Sequence, residues 1–144
     1  MFEDKIREKS ARIAVAGMGY VGLPLAVAFA EAGFRVTGLD VQQKKVDAVN
    51  RGETYIEDIT SEKLREVTAQ GALTASTDFS LLSESDCVSI CVPTPIDEHN
   101  TPVTRYVSTV ADTVAEFMRK EQLVILESTT YPGSTEEIVL PALE

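Results

Sequence analysis

The sequence has little positive charge, few cysteines and no long apolar run. Of its 144 residues, 13 are Lys or Arg and 23 are Asp or Glu, which gives a formal net charge of −10 at pH 7. Because contacts with nucleic-acid phosphates or an anionic membrane surface need clustered Lys and Arg, this deficit argues against both as partners. An anionic ligand must therefore be held by local features that work inside an acidic protein.

The only cysteines are Cys87 and Cys91, and both lie in an apolar run. This placement predicts buried free thiols rather than a disulfide framework, and no partner cysteine pair is present for a zinc site, so no metal site is expected. Residues 1–7 lack the apolar segment of a signal peptide. The near-apolar run at residues 21–30 contains glycine and proline and is too short to span a bilayer. These absences indicate a cytoplasmic location by default.

A chain of this length predicts about one domain with a sizeable core. Apolar segments that resemble strands alternate with amphipathic segments that resemble helices, which predicts an α/β fold with a doubly wound parallel sheet and helices on both faces. In such sheets, ligands bind at the carboxyl ends of the strands. The expected strands are residues 12–16, 34–40, 72–76, 86–92 and 123–127, and the expected helices are residues 21–32, 42–50, 61–70, 103–120 and the segment from 134 onwards.

A G-x-G-x-x-G motif begins at Gly17, directly after the first strand and at the start of the first helix. In a strand–helix–strand unit of about 30 residues, this context is typical of a dinucleotide-binding site. Gly17 permits a tight turn, Gly19 lets a diphosphate approach the backbone, and Gly22 lets the helix pack close to the strand. The N–H groups of Tyr20 and Val21, with the helix dipole, are predicted to bind the diphosphate. A glycine-rich turn that binds no ligand is the alternative.

Asp40 ends the second strand, about 20 residues after the glycine motif. A carboxylate at this position accepts both hydroxyls of the adenosine ribose and repels a 2′-phosphate, and residues 41–43 offer no arginine for such a phosphate. The sequence therefore predicts NAD rather than NADP. Lys45 lies one helical turn further and is predicted to contact the same ribose. The alternatives are a helix N-cap for Asp40 and a solvated helix face for Lys45.

Two more loops follow strands at their carboxyl ends. Pro93 stiffens the first loop, which we expect to lie over the middle of the cofactor, with Thr94 bonded to a phosphate or a ribose; taken alone, this segment is only a loop. Ser128 and Thr129 follow the last strand, where the nicotinamide should reach. The alternative for this segment is helix capping, in a capping box that begins at Ser134, and both interpretations can hold together.

The motifs Gly-x-Gly-Tyr-Val-Gly-Leu-Pro, Cys-Val-Pro-Thr-Pro and Ser-Thr-Thr-Tyr-Pro-Gly occur in this order. Together they resemble the UDP-glucose/GDP-mannose dehydrogenase family, in its NAD-binding domain, from about residue 11 onwards. The form Glu-Ser-Thr-Thr-Tyr-Pro-Gly is most similar to the branch that acts on UDP-N-acetylhexosamines, such as UDP-N-acetylglucosamine 6-dehydrogenases. The resemblance implies a Rossmann domain and oxidation of the sugar C6 alcohol to a carboxylate with two NAD.

The resemblance also implies roles for single residues and a domain organisation. Thr129 matches the family threonine that helps to position water and the nicotinamide. The family's nucleophilic cysteine lies in a C-terminal half that nothing here matches, so neither cysteine of this chain takes that role. We expect a charged helical extension at residues 1–10 and the NAD-binding domain at residues 11–144, which would bind NAD without turnover.

The resemblance also leads to expectations for the whole protein, and other functions of the chain stay open. The resemblance implies a UDP-sugar substrate bound mostly by a second domain, a homodimer and a part in polysaccharide biosynthesis. The competing interpretations are the cofactor domain of a hydroxyacyl-CoA or 6-phosphogluconate type dehydrogenase, or a non-enzymatic module that senses NAD. The family usually has an aspartate where this chain has Val103, so Thr104 is expected to begin the long helix. His99 is predicted to be exposed in a polar loop.

Overall fold

Five strands form one sheet in the computed structural model, which describes residues 1–144. All neighbouring strands are parallel, and the sheet order is β3-β2-β1-β4-β5. The expected parallel sheet and its five strands are therefore confirmed, with ends that differ by one or two residues at most. The strands are β1 (Arg12–Ala16), β2 (Arg35–Leu39), β3 (Leu73–Ser76), β4 (Cys87–Ile90) and β5 (Leu123–Leu126).

Helices connect the strands and cover both faces of the sheet. A 3-10 helix (Phe79–Glu84) precedes β4, and a π-helical turn (Thr135–Val139) precedes the last helix. No helix is both long enough and apolar enough to cross a membrane. The α-helices are α1 (Phe2–Arg7), α2 (Gly22–Glu31), α3 (Gln43–Asn50), α4 (Ser61–Ala69), α5 (Arg105–Phe117) and α6 (Leu140–Leu143).

The hydrophobic core lies on both sides of the sheet because β1 alternates its side chains between the two faces. Val15 packs in the larger cluster of 18 buried residues with side chains of α2, α3 and α4. Ala14 packs in the smaller cluster, which includes Val114 of α5 and Leu82 of the 3-10 helix. Each fully buried Leu or Val stabilises the fold by about 1.5–3 kcal/mol. Both faces of the central strands β1 and β4 are therefore covered, and their carboxyl ends remain for a ligand.

At two helix starts the N-cap is the expected residue, but its side chain makes no capping hydrogen bond. The long helix was expected from residue 103 but begins at Arg105, because Val103 N–H donates to the Pro95 carbonyl at 2.7 Å and holds the chain in a loop. Thr104 is its N-cap, but its side chain makes no capping hydrogen bond. Ser134 is the N-cap of the π-helical turn, as predicted. The predicted capping box does not form, since the Ser134 side chain makes no capping hydrogen bond and Glu137 accepts one from the hydroxyl of Tyr131 at 2.9 Å.

A charge cluster at the amino ends of the strands fixes α1 to the sheet. The buried Asp86 carboxylate accepts hydrogen bonds from Lys5 Nζ at 2.7 Å, Arg119 Nη2 at 2.8 Å and the Arg12 N–H at 2.9 Å. Burial by itself raises the pKa of Asp86, but these hydrogen bonds outweigh burial and lower the pKa to about 2. Asp86 therefore stays ionised and ties α1, which lies within the predicted extension, to the start of β4.

Candidate cofactor-binding site

A cleft of about 850 Å³ opens at the carboxyl edge of the sheet, where the strand order reverses between β1 and β4. Loops that leave β1, β2, β4 and β5 supply its walls. Of the residues predicted for the site, only Gly22 does not line the cleft. The predicted residues that do line it are Gly17, Gly19, Tyr20, Val21, Asp40, Lys45, Pro93, Thr94, Ser128 and Thr129.

The three glycines of the turn after β1 differ in the space around them. Gly17 has a φ of +100°, and a Cβ there would lie 2.6 Å from the Cys91 carbonyl oxygen. A Cβ on Gly22 would lie 1.6 Å from the Gly17 carbonyl oxygen, so α2 can start this close to β1 only without a side chain. A Cβ on Gly19 would meet no atom within 4 Å. Gly17 and Gly22 thus close the turn, whereas Gly19 leaves free space in the cleft.

Four consecutive backbone N–H groups in this turn have no acceptor in the protein. They belong to Gly19, Tyr20, Val21 and Gly22, at the start of α2, whose first turn contains no acidic side chain. Unpaired N–H groups and the positive end of the helix dipole make such a terminus an anion-binding site. Tyr20 is 79% exposed, so its own side chain does not cover the turn. The turn therefore fits a diphosphate, in a protein of net charge −10.

Asp40 points at the glycine turn. Its Oδ2 accepts the Met18 N–H at 2.9 Å, and its Oδ1 accepts the Gln42 N–H at 2.9 Å. The N-cap of α3 is Gln42, so Asp40 does not have the N-cap role that the sequence left open. A carboxylate offers about four acceptor positions, and these two bonds leave about two for hydroxyl groups in the cleft. The side chain is only 8% exposed and is held rigidly at the end of β2.

Lys45 lines the cleft together with Asp40 and forms no salt bridge. Its Nζ lies 5.9 Å from the centroid of the Tyr55 ring, which is within the range of a cation–π interaction. Because no carboxylate neutralises it, the ammonium group is available to a polar ligand. The ring of Tyr55 holds this flexible side chain near the end of β2.

The loops after β4 and β5 are joined to each other. The Thr94 hydroxyl donates to the backbone carbonyl of Thr129, and the Ser128 hydroxyl donates to the Ile90 carbonyl at 3.4 Å. The Thr94 proton is thus used within the protein, which leaves its oxygen as an acceptor. Thr129 is exposed at the cleft. The thiol of Cys91 lies beneath these loops. Burial raises its pKa to about 11, so the thiol is uncharged near neutral pH and is not activated as a nucleophile.

Sequence reasoning missed part of the opposite wall. Arg105 and Tyr106, at the start of α5, line the cleft, and Arg105 Nη2 donates to the Tyr106 hydroxyl at 3.0 Å. Phe79, from the 3-10 helix, and Val110 add apolar surface. The available signal was their position, since α5 begins directly after the loop that follows β4. The same reasoning missed Tyr55, whose hydroxyl donates to the Met18 carbonyl inside the glycine turn.

The parallel sheet, the glycine turn with its free N–H groups and the carboxylate at the end of β2 define a dinucleotide-binding domain of the Rossmann type. The sequence profile of the UDP-glucose/GDP-mannose dehydrogenase family, NAD binding domain, matches residues 11–144. The chain belongs to this family. The predicted fold, family and cofactor are therefore confirmed, and membership decides against the other dehydrogenase types considered above.

Relatives of known activity are nucleotide-sugar dehydrogenases. UDP-N-acetyl-D-mannosamine dehydrogenase of Escherichia coli K12 is 42% identical over 129 residues, which cover 89% of this chain and 30% of that protein. UDP-N-acetyl-D-glucosamine 6-dehydrogenase of Pseudomonas aeruginosa is 35% identical over 136 residues, or 94% and 31% of the two chains. The crystal structure of GDP-mannose dehydrogenase from P. aeruginosa superposes with a TM-score of 0.86 at 30% identity, over 92% and 32% of the two chains. The chain thus spans about a third of the length of these proteins.

Proposed function

We propose that this chain is the cofactor-binding part of an NAD-dependent UDP-sugar 6-dehydrogenase. The reaction is oxidation of the C6 alcohol of a UDP-N-acetylhexosamine, or a UDP-hexose, to the uronic acid, with two NAD reduced. The observation that carries the proposal is the row of free N–H groups beside open space at Gly19, with Asp40 next to it. The names of the relatives and the loop from Glu127 to Gly133 support an N-acetylated sugar.

Each part of the cleft has a proposed role toward NAD. The N–H groups of Gly19, Tyr20 and Val21 bind the diphosphate, while the shape of the turn depends on Gly17 and Gly22. Asp40 accepts the adenosine ribose hydroxyls, and Lys45 donates to the same ribose. These groups are free to bind the cofactor, because the three N–H groups have no acceptor in the protein and Asp40 accepts only two hydrogen bonds from it.

The nicotinamide end has a second set of proposed contacts. Pro93 and Thr94 form the wall over the middle of the cofactor, and Ser128 and Thr129 position the nicotinamide and a water molecule. The hydrogen bond from Thr94 to the Thr129 backbone fixes the two loops relative to each other and supports this arrangement. The bound nicotinamide supplies the hydride acceptor.

Asp40 also predicts a preference for NAD over NADP. A 2′-phosphate would carry up to two negative charges next to a carboxylate that is only 8% exposed, where repulsion is poorly screened. Lys45, the cation proposed to contact this ribose, offsets a single charge. We expect the chain to bind NAD at least tenfold more tightly than NADP.

Calorimetric titration of the 144-residue chain with NAD and NADP at near-physiological salt tests the cofactor assignment. We expect one saturable site for NAD, and the variant Asp40→Asn should lose most of the discrimination against NADP because the repelling charge is gone. The Glu57→Gln variant, which removes an exposed carboxylate outside the cleft, is the matched control. Absence of saturable NAD binding at several millimolar would contradict the proposal.

The reaction itself is tested on the product of the full reading frame. NADH formation is followed with UDP-N-acetylmannosamine, UDP-N-acetylglucosamine and UDP-glucose, and two NADH per sugar are expected with the preferred substrate. We also infer a homodimer, a cytoplasmic location and a supply of sugar acids for polysaccharide synthesis, all on the family resemblance. Light scattering of the whole protein measures the first of these, and a monomeric mass would contradict it.

A further inference from the structure

The loop between α3 and α4 reaches back to the glycine turn through one side chain. The hydroxyl of Tyr55 donates to the carbonyl oxygen of Met18, 37 positions earlier in the sequence. The N–H of the same Met18 donates to Asp40 Oδ2 at 2.9 Å. The Met18 side chain is fully buried and packs against Gly38. A Cβ on Gly38 would lie only 2.5 Å from the Met18 Cε, so the glycine makes room for this side chain. Met18 is thus fixed at its N–H, its carbonyl and its side chain.

The Met18 carbonyl and the Gly19 N–H belong to the same peptide unit. This unit is planar and trans, so its C=O and N–H point in opposite directions. Tyr55 does not line the cleft, whereas Gly19 does. A hydrogen bond that holds the carbonyl toward Tyr55 therefore directs the Gly19 N–H away from Tyr55. That N–H is one of the four that have no acceptor in the protein.

We propose that Tyr55 is a positioning residue of the cofactor site, which aims the Gly19 N–H at the diphosphate through the Met18–Gly19 peptide. The inference rests on the proposed NAD site and adds to it a residue that touches no part of the cofactor. A hydrogen bond accepted by the carbonyl also polarises the peptide, which makes its N–H a stronger donor. Tyr55 thereby acts on both the direction and the strength of one diphosphate contact.

The surroundings of Tyr55 keep it in the donor form. Burial, and after it the charge of Asp40, raise the pKa of the Tyr55 hydroxyl well above its usual value. The ring has a separate task, since it faces the Lys45 ammonium at 5.9 Å. Removal of the hydroxyl alone therefore tests the diphosphate end of the site and leaves the ring contact near the ribose in place.

The variant Tyr55→Phe is compared with the wild-type chain for three ligands: NAD, ADP and adenosine. ADP carries the diphosphate, whereas adenosine carries only the base and the ribose. We expect the dissociation constants of NAD and ADP to rise together by about tenfold, the effect of one impaired charge-assisted hydrogen bond. The adenosine constant, measured by chemical-shift titration, should change less than twofold.

The control variant is Thr68→Val, which removes a hydroxyl that donates to the Leu64 carbonyl at 2.8 Å inside α4 and does not reach the turn. It should leave all three constants unchanged. Equal losses for all three ligands in Tyr55→Phe would make Tyr55 a general tether of the loop and overturn the inference, as would unchanged binding of ADP. Failure of the wild-type chain to bind NAD would instead refute the proposed function.

A second measurement keeps the inference testable if Tyr55→Phe lowers the melting temperature. The amide resonance of Gly19 is followed during titration of both chains with ADP. We expect a large downfield proton shift in the wild-type chain and a clearly smaller shift in the variant, because the N–H is no longer aimed at the ligand. The same shift in both chains, whatever their stability, would overturn the inference.

Discussion

The substitution Gly19→Ala separates cofactor binding from folding. The φ of Gly19 is not positive, and a Cβ added there meets no protein atom within 4 Å. A methyl group therefore fits the folded chain without strain, and alanine even reduces the entropy of the unfolded chain, which stabilises by up to about 1 kcal/mol. The same methyl group would lie in the space that we propose for the diphosphate.

The expected loss of affinity follows from the hydrogen bonds that the methyl group blocks. Hydrogen bonds to a charged group contribute about 1.5–3 kcal/mol each. A methyl group at Gly19 would shift the diphosphate away from the backbone, and the diphosphate would lose about two of these bonds. At about 1.5 kcal/mol each, the loss is about 3 kcal/mol, which is about 150-fold in the dissociation constant of NAD. The melting temperature should stay within about 3 °C of wild type, the effect of 1 kcal/mol in a domain of this size.

Calorimetry with NAD and thermal unfolding followed by circular dichroism measure the two quantities. The companion variant Gly22→Ala should instead destabilise the fold, because its Cβ would lie 1.6 Å from the Gly17 carbonyl oxygen. Overpacking of about 3 kcal/mol there lowers the melting temperature by about 10 °C. Wild-type affinity in Gly19→Ala would refute the placement of the diphosphate, and a large fall in its melting temperature would refute the open space.

Two further predictions concern ionisable groups outside the cofactor contacts. The pKa of Asp86 falls from 3.8 to about 2 on folding, through its hydrogen bonds with the Arg12 N–H, Lys5 and Arg119. These bonds stabilise the fold by about 2 kcal/mol above pH 4, an amount lost as the pH falls toward 2. In Asp86→Asn, urea unfolding at pH 7 and pH 3 should lack this part of the pH dependence, and an unchanged profile would contradict the assignment. The Cys91 thiol, 6% exposed and with a pKa of about 11, should escape alkylation by iodoacetamide at pH 8 in the native chain, as mass spectrometry would show, and rapid labelling would contradict its burial.

Much of the fold was predictable because its signals are local. β1 has the predicted bounds, since its apolar run ends at Gly17, where the chain turns. The start of α5 was not predictable in the same way, because the bond from Val103 to Pro95 depends on a loop that folds back on itself. The capping box at Ser134 failed for a related reason, since Glu137 had a competing partner in Tyr131. Local patterns name the possible hydrogen bonds but do not decide among partners.

The residues of the candidate site also differ in whether a local pattern in the sequence predicts them. Gly17, Gly19 and Asp40 were found from the sequence because their spacing reflects a turn and a strand of fixed length. Tyr55 was missed because it meets Met18 across 37 positions, and a tyrosine in a polar loop carries no signal of that contact. Arg105 was missed because its position just after the loop that follows β4 was not used as a signal.

The geometry of Asp40 links the two halves of the proposed site. One of its oxygens holds the Met18 N–H, and the carboxylate also faces the position proposed for the ribose. Removal of its charge therefore changes two things: it admits a 2′-phosphate, and it weakens the bond that orders the turn. A change of cofactor preference at this residue alone should cost affinity for both cofactors, since the diphosphate contact depends on the same turn. The preference for NAD and the binding of its diphosphate are then coupled through one carboxylate. A variant that binds NADP tightly needs another acceptor for the Met18 N–H to keep the turn in place.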